Sequence, residues 1–571
     1  MPSRPDDVSL AICGQAGQGI KTVESLLLSL FKGGGNHVFS SREYMSRIRG
    51  GMNTTSIRVS SRPVRAYSER VDVALVLHRG GAAHLGERLT ARSLVVGEAD
   101  DLPEKESGRG IFLAVPWREM AREIGAEHYV NSIAAGVLAG VLRAERSSAG
   151  EAVEAYFAGK GAEVAAGNRT AFDRGYAIGE RFRAERGEDV PSLPGTGRPG
   201  ELLLAGTEAV ALGAMAGGCD FLSFYPMSPS TGVGVFIAGH ADGFGIEVEQ
   251  AEDEISAVNM SLGAWFAGAR ALVTTSGGGF ALMAEGLSLA GAIESPAVIH
   301  LAQRPGPATG LPTRTEQGDL LFALFAGHGE FPRILLAPGS LEEAFSLSRE
   351  AFNLADRFQV PVVVLTDQYL LDSHYDLAPF DLEGFSVEKA LVESSPEYRR
   401  YAFTDTGISP RGVPGFGDGL VCADSDEHDQ SGHITESMVV RTAMVDKRLK
   451  KAAAIEKAVP APEFFGDEDY RLLVLGWGST REALIESLEG LKGEGVGYLH
   501  FSWIHPLWPD LGDWMKRARR TVAVENNATG QFARLIRMTT GQEVAGSVRK
   551  YDGLPFSVEE LSAAVKRELS R

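Results

Sequence analysis

The sequence is poor in cysteine. Only three occur in 571 residues, Cys13, Cys219 and Cys422, and no two of them form a CxxC pair. An iron–sulfur cluster needs about four thiolates, so this chain is not expected to hold one. The same scarcity excludes a disulfide framework of the kind that stabilises small secreted domains.

Long apolar runs and an excess of positive charge are also missing. No uninterrupted apolar segment reaches the ~20 residues of a membrane-spanning helix, and the N-terminal residues lack the basic-then-apolar pattern of a signal peptide. The net charge is −19, which argues against nucleic-acid binding because that requires a basic surface. We therefore expect a cytoplasmic protein with neither nucleic acid nor membrane among its partners.

What the sequence does contain is glycine and a repeated alternation of strand and helix patterns. A chain of this length is too long for one core and should form several domains. The 68 glycines lie at turns and in small-residue helices, which suits close helix–sheet packing in an α/β fold. We predict three α/β domains, at 1–182, 201–390 and 468–571, the middle one with a parallel sheet, joined by a linker at 183–200 and an irregular connecting segment at 391–467.

A glycine-rich turn near the N-terminus is the first candidate site. Residues 14–19 read GQAGQG and lie between a predicted strand and a predicted helix. That geometry directs backbone N–H groups at an anion, which makes Gly17, Gln18 and Gly19 candidate contacts. A basic stretch downstream adds Arg49, which could bind a phosphate. The alternatives are a turn that only packs helix on sheet, and a solvated arginine.

The middle domain carries the polar loops around which we expect the function to be organised. Four loops follow predicted strands. They hold Ser228 in FYPMSPSTG, Glu254 in EVEQAEDE, Ser276 in SGGGF and Arg304 in AQRPGP. In a parallel sheet the ligand site lies past the carboxyl ends of the strands, so these signals should share one edge. For the proline-rich loop alone, an ordinary turn is an equal alternative.

Three local patterns have plainer interpretations. One cluster of acidic and imidazole side chains could be interpreted as a metal site; it comprises Asp426, Glu427, His428, Asp429 and His433. Such clusters are more often hydrogen-bonded turns. We therefore predict no metal site on this chain. The basic segment 445–457 is expected to be a surface helix, and the run of small residues at 202–212 another helix.

These motifs together resemble a known family. The chain looks like the large subunit of a 2-oxoacid:ferredoxin oxidoreductase, with a gamma-type domain fused ahead of the alpha part, and the 2-oxoglutarate branch is the most similar. The resemblance implies three α/β parts: an N-terminal gamma-type Rossmann-like domain, a thiamine diphosphate pyrimidine-binding domain and a transketolase C-terminal-like domain. It also implies CoA-dependent oxidative decarboxylation of 2-oxoglutarate to succinyl-CoA and CO2, with electrons passed to ferredoxin, or the reverse reaction.

The resemblance assigns roles to particular residues. Glu254 matches the glutamate that hydrogen-bonds the aminopyrimidine of thiamine diphosphate, with Glu252 and Asp253 as alternatives if the register differs. Other matches are cofactor contacts Ser276, Gly277, Gly278 and Phe280; substrate contacts Tyr225, Ser228 (usually Thr in the family), Pro229, Ser230, Thr231 and Arg304; and, near CoA, Gly17, Gln18, Gly19 and Arg49. Thr313 and Arg314 are our own candidates for a distal carboxylate, with a surface turn as the alternative.

What is missing from the chain fits one subunit of a complex. Gly417-Asp418-Gly419 imitates the start of the motif that binds Mg²⁺ and diphosphate, but no asparagine follows at the required spacing. The resemblance therefore places Mg²⁺, the diphosphate site and a [4Fe-4S] cluster on a beta subunit, within an (alpha-beta)2 heterotetramer that reduces ferredoxin. Pyruvate, a branched-chain 2-oxoacid or indolepyruvate as substrate, or a non-catalytic scaffold that holds CoA or a partner, remain alternatives.

Overall fold

The computed structural model describes residues 7–46, 51–102 and 110–571. Its strands are β1 Asp7–Gly14, β2 His37–Glu43, β3 Asn53–Ser60, β4 Val73–Val76, β5 Leu94–Gly97, β6 Ile111–Ala114, β7 Leu202–Ala205, β8 Phe221–Phe224, β9 Glu247–Gln250, β10 Ala271–Ser276, β11 Ala297–Gln303, β12 Ile334–Leu336, β13 Pro361–Asp367, β14 His374–Leu377, β15 Glu463–Gly466, β16 Leu472–Trp477, β17 Val496–Phe501, β18 Trp503–His505, β19 Arg520–Glu525 and β20 Gly546–Arg549.

The α-helices alternate with these strands through much of the chain. They are α1 Ile20–Gly33, α2 Gly81–Leu85, α3 Trp117–Ile124, α4 Val130–Val141, α5 Arg146–Phe157, α6 Ala162–Arg186, α7 Gly206–Ala216, α8 Thr231–Phe244, α9 Glu254–Phe266, α10 Gly277–Leu282, α11 Ala284–Ala292, α12 Leu320–Phe325, α13 Leu341–Phe358, α14 Gln368–Asp372, α15 Met438–Glu456, α16 Arg481–Leu488, α17 Leu511–Arg517, α18 Gln531–Thr540 and α19 Val558–Leu569. None of the helices in the described ranges is long and apolar enough to cross a membrane.

The first compact unit comprises residues 1–204 with 372–379 and 557–559. Its eight-stranded sheet has the order β6-β5-β4-β1-β3-β2-β14-β7 and is parallel from β1 to β6 on one side and antiparallel from β1 through β3 and β2 to β14 on the other. Helix α4 consists mainly of small and apolar residues and is almost wholly buried. Glycines let it contact α6 closely, since a Cβ at Gly136 would lie 2.2 Å from the Phe172 carbonyl oxygen.

Two sequence-based expectations at the end of this unit need correction. Helix α6 runs to Arg186 and so covers the first residues of the predicted linker, where the buried Arg183 donates to the Pro191 carbonyl at 2.9 Å. The helix predicted at 202–212 is instead strand β7 followed by α7. A short apolar run does not distinguish a strand from the start of a buried helix, and here residues 202–205 join the first sheet.

The second compact unit comprises 205–371, 380–556 and 560–571 and contains two sheets. The larger has the order β18-β12-β13-β11-β10-β8-β9 and the smaller the order β15-β17-β16-β19-β20. Their central strands are parallel. Strand β18, from the C-terminal region, pairs with β12 of the larger sheet, and one apolar core cluster draws on strands of both sheets. The three sheets confirm the predicted α/β class.

The basic helix predicted at the surface is α15, which does lie at the surface but buries one face that carries part of its positive charge. Lys447 and Lys451 are buried, and their Nζ atoms lie 2.6 Å from the two carboxylate oxygens of Glu294. Arg400 donates to the Glu294 carbonyl at 2.7 Å. Burial alone would raise the pKa of Glu294, but the nearby cations outweigh it and lower the pKa to about 2. The sequence shows the two lysines, but Glu294, the counter-ion that they share, lies about 150 residues earlier in the chain.

Removing that counter-ion should release α15. Replacing Glu294 with Gln leaves two buried ammonium groups unpaired, and we expect the opening free energy of α15 to fall by roughly 3–5 kcal/mol. Because the folded-state pKa lies below the ordinary 4.5, wild-type stability from Glu294 should be present above pH 4.5 and be lost as the pH falls towards 2. Hydrogen exchange of α15 amides measures both.

The exposed ion pair Arg357–Glu388, at 2.8 Å, provides the matched control. Glu388→Gln removes the same charge from the surface, where such a pair contributes less than about 1 kcal/mol. Equal exchange protection of α15 in the two variants would show that Glu294 does not hold the helix.

Candidate active site

Four neighbouring strands of the larger sheet end at one edge. In the order β11-β10-β8-β9 they are mutually parallel, so the loops at their carboxyl ends lie side by side. The loops after β11, β8 and β9 begin at Arg304, Tyr225 and Ala251, and β10 ends at Ser276 and continues directly into the glycine-rich start of α10. The structure therefore brings the four predicted polar loops together, in the place where open α/β sheets bind ligands.

Glu254 is the buried acid of this edge. It is the first residue of α9, only 2% of its surface is exposed, and its Oε1 has no hydrogen-bond partner within the described part of the chain. Burial raises the pKa of its carboxyl above the ordinary value, and the neighbouring Asp253 acts in the same direction. Such a carboxyl can hold a proton nearer neutrality than a solvated one.

The two neighbouring acids are engaged in other ways. The Asp253 carboxylate caps α9 by accepting a hydrogen bond from the Ser256 amide at 2.7 Å. Glu252 is exposed and accepts from the Ser256 hydroxyl at 3.2 Å. Of the three acids that the sequence left open, the geometry therefore favours Glu254.

The triple-glycine turn encloses the Glu254 carboxyl. A Cβ at Gly279 would lie 2.3 Å from Glu254 Oε1 and 2.3 Å from Thr275 Oγ1, so only glycine allows the turn to approach this closely. The hydroxyl of Ser276 is buried and has no hydrogen-bond partner among the residues that the structure describes. Gly278 is exposed, with open space around it, whereas the Phe280 ring is buried against Phe322 with ring centroids 5.2 Å apart. Phe280 thus supports the turn from the core.

The proline-rich loop presents some of its predicted groups and uses others internally. Tyr225 and Ser228 are exposed, and a cis peptide bond joins Ser228 to Pro229. The Ser230 hydroxyl is buried and donates to the Met227 carbonyl at 2.7 Å, so it braces the loop. Thr231 begins α8 and is half-buried.

Arg304 connects two of these loops. Its Nη1 donates to the Ser228 carbonyl oxygen at 2.7 Å. Burial lowers the pKa of its guanidinium, against the opposing charge of Asp319. Among the residues described, no carboxylate forms an ion pair with Arg304. Its charge is thus available to an anionic ligand at this edge.

Asp319 is a site residue that sequence reasoning missed. A Cβ at Gly277 would lie 2.5 Å from its Oδ2, an atom that is buried and without a partner among the described residues. Burial raises the pKa of Asp319 to about 6, with Glu316 adding to the rise and Arg304 opposing it. In the sequence, an aspartate just before an apolar run predicts a helix cap. The Asp319 side chain, however, makes no capping hydrogen bond to α12.

The loop that carries Asp319 is held by the C-terminal sheet. Gln317 donates to the Trp477 carbonyl at 2.9 Å and accepts from the Asn526 amide at 2.9 Å. Gln531 donates to the Gly318 carbonyl at 2.6 Å. Thr313 and Arg314 lie on the same loop and are half-buried. The polar loops after β16 and β19 thus fix the conformation of this segment.

The first unit has a separate cavity of about 550 Å³ beside its glycine-rich turn. Among the residues that line it are Gly17, Gly19 and Lys21. Gln18 braces the turn instead, since its Oε1 accepts from the Gln15 amide and its Nε2 donates to the Leu77 carbonyl at 3.0 Å. Arg49 lies outside the described residues.

The acidic and imidazole cluster forms a hydrogen-bonded turn. Glu427 pairs with Arg448 at 2.9 Å, and the His428 ring lies against Tyr401 with centroids 4.0 Å apart. The Asp429 carboxylate accepts from the Ser431 amide at 2.8 Å. Across 7–46, 51–102 and 110–571, no group of three or more potential ligands is placed to hold a metal ion.

Two family models match most of the chain. Residues 212–447 match a family model described as pyruvate flavodoxin/ferredoxin oxidoreductase, thiamine diphosphate-binding. Residues 9–178 match a second model, pyruvate ferredoxin/flavodoxin oxidoreductase. The larger part of the chain thus resembles oxidoreductase domains, one of them of the thiamine diphosphate-binding class.

Individual relatives indicate which family of oxidoreductases the chain belongs to. A 2-oxoacid:ferredoxin oxidoreductase alpha subunit from a Sulfolobus species is 32% identical, over 98% of this chain and 96% of the relative. The KorA subunit of a 2-oxoglutarate oxidoreductase from Mycobacterium tuberculosis is 26% identical, over 99% of this chain and 92% of the relative. The solved 2-oxoglutarate:ferredoxin oxidoreductase of Magnetococcus marinus superposes with a TM-score of 0.92, at 28% identity, over 99% of this chain and all of that one. The chain belongs to the 2-oxoacid:ferredoxin oxidoreductase alpha-subunit family.

The close approach of Gly279 to Glu254 can be tested by a single methyl group. Gly279→Ala should push the Glu254 carboxyl out of place and lower the melting temperature by several degrees, since overpacking a buried site costs about 1–3 kcal/mol. Gly278→Ala is the matched control, because the nearest atom to its Cβ would be Met227 Sδ at 3.9 Å. Thermal unfolding of both variants measures the difference; identical melting temperatures would contradict the close contact.

Proposed function

We propose that this chain is the alpha subunit of a 2-oxoglutarate:ferredoxin oxidoreductase. With a beta subunit it catalyses CoA-dependent oxidative decarboxylation of 2-oxoglutarate to succinyl-CoA and CO2, with electrons to ferredoxin, or the reverse reductive carboxylation. The observation that carries the proposal is the buried carboxyl of Glu254 at the shared strand edge, whose Oε1 has no hydrogen-bond partner among the described residues. We also infer the three-part division made from the sequence, with the pyrimidine-binding part at 201–390.

The residues at this edge fit thiamine diphosphate. When bound, this cofactor supplies the electron sink that decarboxylation of a 2-oxoacid requires. Glu254 would hydrogen-bond its aminopyrimidine ring, and a raised pKa lets the carboxyl give and take the ring proton. The exposed Gly278 and the unpartnered Ser276 hydroxyl leave polar groups for the same ring, while Phe280 supports the turn from behind.

The substrate is proposed to bind beside the cofactor. Arg304 has an unpaired charge suited to the carboxylate next to the reacting carbonyl, and Ser228 and Tyr225 are exposed on the loop that Arg304 contacts. Pro229 and Thr231 shape that loop. Arg314 and Thr313, on the loop that follows Arg304, are proposed for the distal carboxylate of 2-oxoglutarate.

The remaining parts of the reaction need other groups. We propose that the cavity beside Gly17, Gly19 and Lys21 takes part of CoA, because a helix N-terminus and an ammonium group suit phosphates. Mg²⁺, the diphosphate ligands and a [4Fe-4S] cluster are proposed on the beta subunit. An (alpha-beta)2 heterotetramer and docking of ferredoxin follow from the same proposal. The solved relative from Magnetococcus marinus, which has 2-oxoglutarate, CoA and succinyl-CoA bound, supports this choice of substrates.

Glu254 is the first test of the mechanism. In complex with the beta subunit, Glu254→Gln should reduce 2-oxoglutarate-dependent, CoA-dependent ferredoxin reduction by at least 10²-fold, the usual contribution of a proton-transfer group. Glu252→Gln is the matched control, since Glu252 is exposed on the same loop. Near-wild-type turnover in the Glu254 variant would remove this residue from the mechanism. Full activity of the beta subunit alone would favour the scaffold alternative.

Arg314 tests the choice of 2-oxoacid. Replacing it with Gln should raise the KM for 2-oxoglutarate roughly tenfold or more, the value of a lost hydrogen bond to a charged group, and change the KM for pyruvate little, because pyruvate has no distal carboxylate. Steady-state kinetics with both substrates, on variants of unchanged melting temperature, measure this. Equal effects on the two substrates would contradict the assignment and favour the pyruvate, branched-chain or indolepyruvate alternatives.

A further inference from the structure

One buried carboxyl at the active-site edge has no part in the function proposed above. Asp319 lies against the Cα of Gly277, its Oδ2 has no hydrogen-bond partner in the described residues, and its amide donates to Gln303 Oε1 at 3.0 Å. Gln303 is the last residue of β11 and directly precedes Arg304. Asp319 is thus fixed by its backbone beside both the glycine turn and the start of the Arg304 loop.

The electrostatic partners of Asp319 are few. Arg304 and Glu316 are the charged groups that act on it, and Gln303 and Gly277, which also contact it, are uncharged. Arg304 and Asp319 influence each other's charge but form no ion pair. A negative charge on Asp319 therefore reduces the attraction of Arg304 for an anion without occupying its hydrogen bonds.

We propose that Asp319 is a positioning residue that sets how strongly Arg304 attracts the carboxylate of the 2-oxoacid. This inference rests on the proposed function of the edge. With Asp319 protonated, the full charge of Arg304 acts on the substrate; with Asp319 ionised, part of that charge is neutralised. The same group also restricts position 277 to glycine, which links the cofactor turn to the substrate loop.

The sign of the pH dependence follows from this arrangement. The pKa of Asp319 is raised to about 6, so the carboxyl is mostly neutral at pH 5 and mostly ionised at pH 7.5. The KM for the 2-oxoacid should therefore rise as the pH increases through about 6. The electrostatic influence of one charge on another near a protein surface is strong enough for a change of roughly three- to tenfold.

Three variants in the complex with the beta subunit test the proposal, with KM and kcat for 2-oxoglutarate measured between pH 5 and 8. Asp319→Asn should keep KM low and flat across this range, with little change in kcat. Glu316→Gln should shift the rise in KM to lower pH, because Glu316 raises the pKa of Asp319. In an Arg304→Gln background, adding Asp319→Asn should no longer alter the pH profile of KM, as expected for a coupled pair.

The outcomes separate the possibilities. A wild-type pH profile of KM in Asp319→Asn, or a fall in kcat with KM unchanged, would overturn the positioning role. If Asp319→Asn does not fold, Glu316→Gln decides: an acid shift of the KM transition supports the proposal, and an unmoved transition overturns it. A wild-type complex without 2-oxoacid-dependent ferredoxin reduction would overturn the proposed function and this inference with it, whereas an active complex with an unchanged variant overturns the inference alone.

Discussion

The site depends on a carboxyl that is buried and left without a partner. Nearly all buried polar groups in folded proteins are hydrogen-bonded, and one that is not costs about 1–3 kcal/mol. Glu254 Oε1 is such an atom, since it is buried and has no partner among the described residues. Gly279 approaches it so closely that a side chain at position 279 would clash with it. Ser276 Oγ and Asp319 Oδ2, around the same turn, likewise lack a hydrogen-bond partner in the described part of the chain. Three buried oxygens without partners in one place lower stability, so their grouping indicates a binding role rather than a structural one.

The C-terminal sheet contributes support to this edge through the loop that carries Gln317. The side chain of Gln317 bonds to the Trp477 carbonyl and the Asn526 amide, and its carbonyl accepts from Asn527 at 3.2 Å. Since Arg304 and Asp319 lie at either end of this loop, its anchoring restricts both side chains. Second-layer contacts of this kind keep binding groups within the small tolerances that catalysis needs.

Much of this arrangement could be predicted from the sequence, and the rest could not for a physical reason. Periodicity located the parallel strands, and strand ends located the edge that carries Ser228, Glu254, Ser276 and Arg304, because chain direction alone determines where those loops emerge. The partners of buried side chains are different: Lys447 and Lys451 pair with Glu294, and the Asp319 carboxyl lies against Gly277. Contacts between residues distant in sequence leave no local pattern.

Two buried glutamates show how the fold assigns opposite roles to one residue type. Glu294 and Glu254 are both almost fully removed from solvent, and burial raises the pKa of each. At Glu294 three cations reverse that effect and bring the pKa to about 2, so the group stays ionised and holds α15 in place. At Glu254 no cation is near enough to do so. A carboxyl fixed in its charged form cannot exchange a proton near neutrality, whereas one held without a counter-charge can. The lack of a cation beside Glu254, among the residues that the structure describes, therefore suits it to the proton transfer proposed for it.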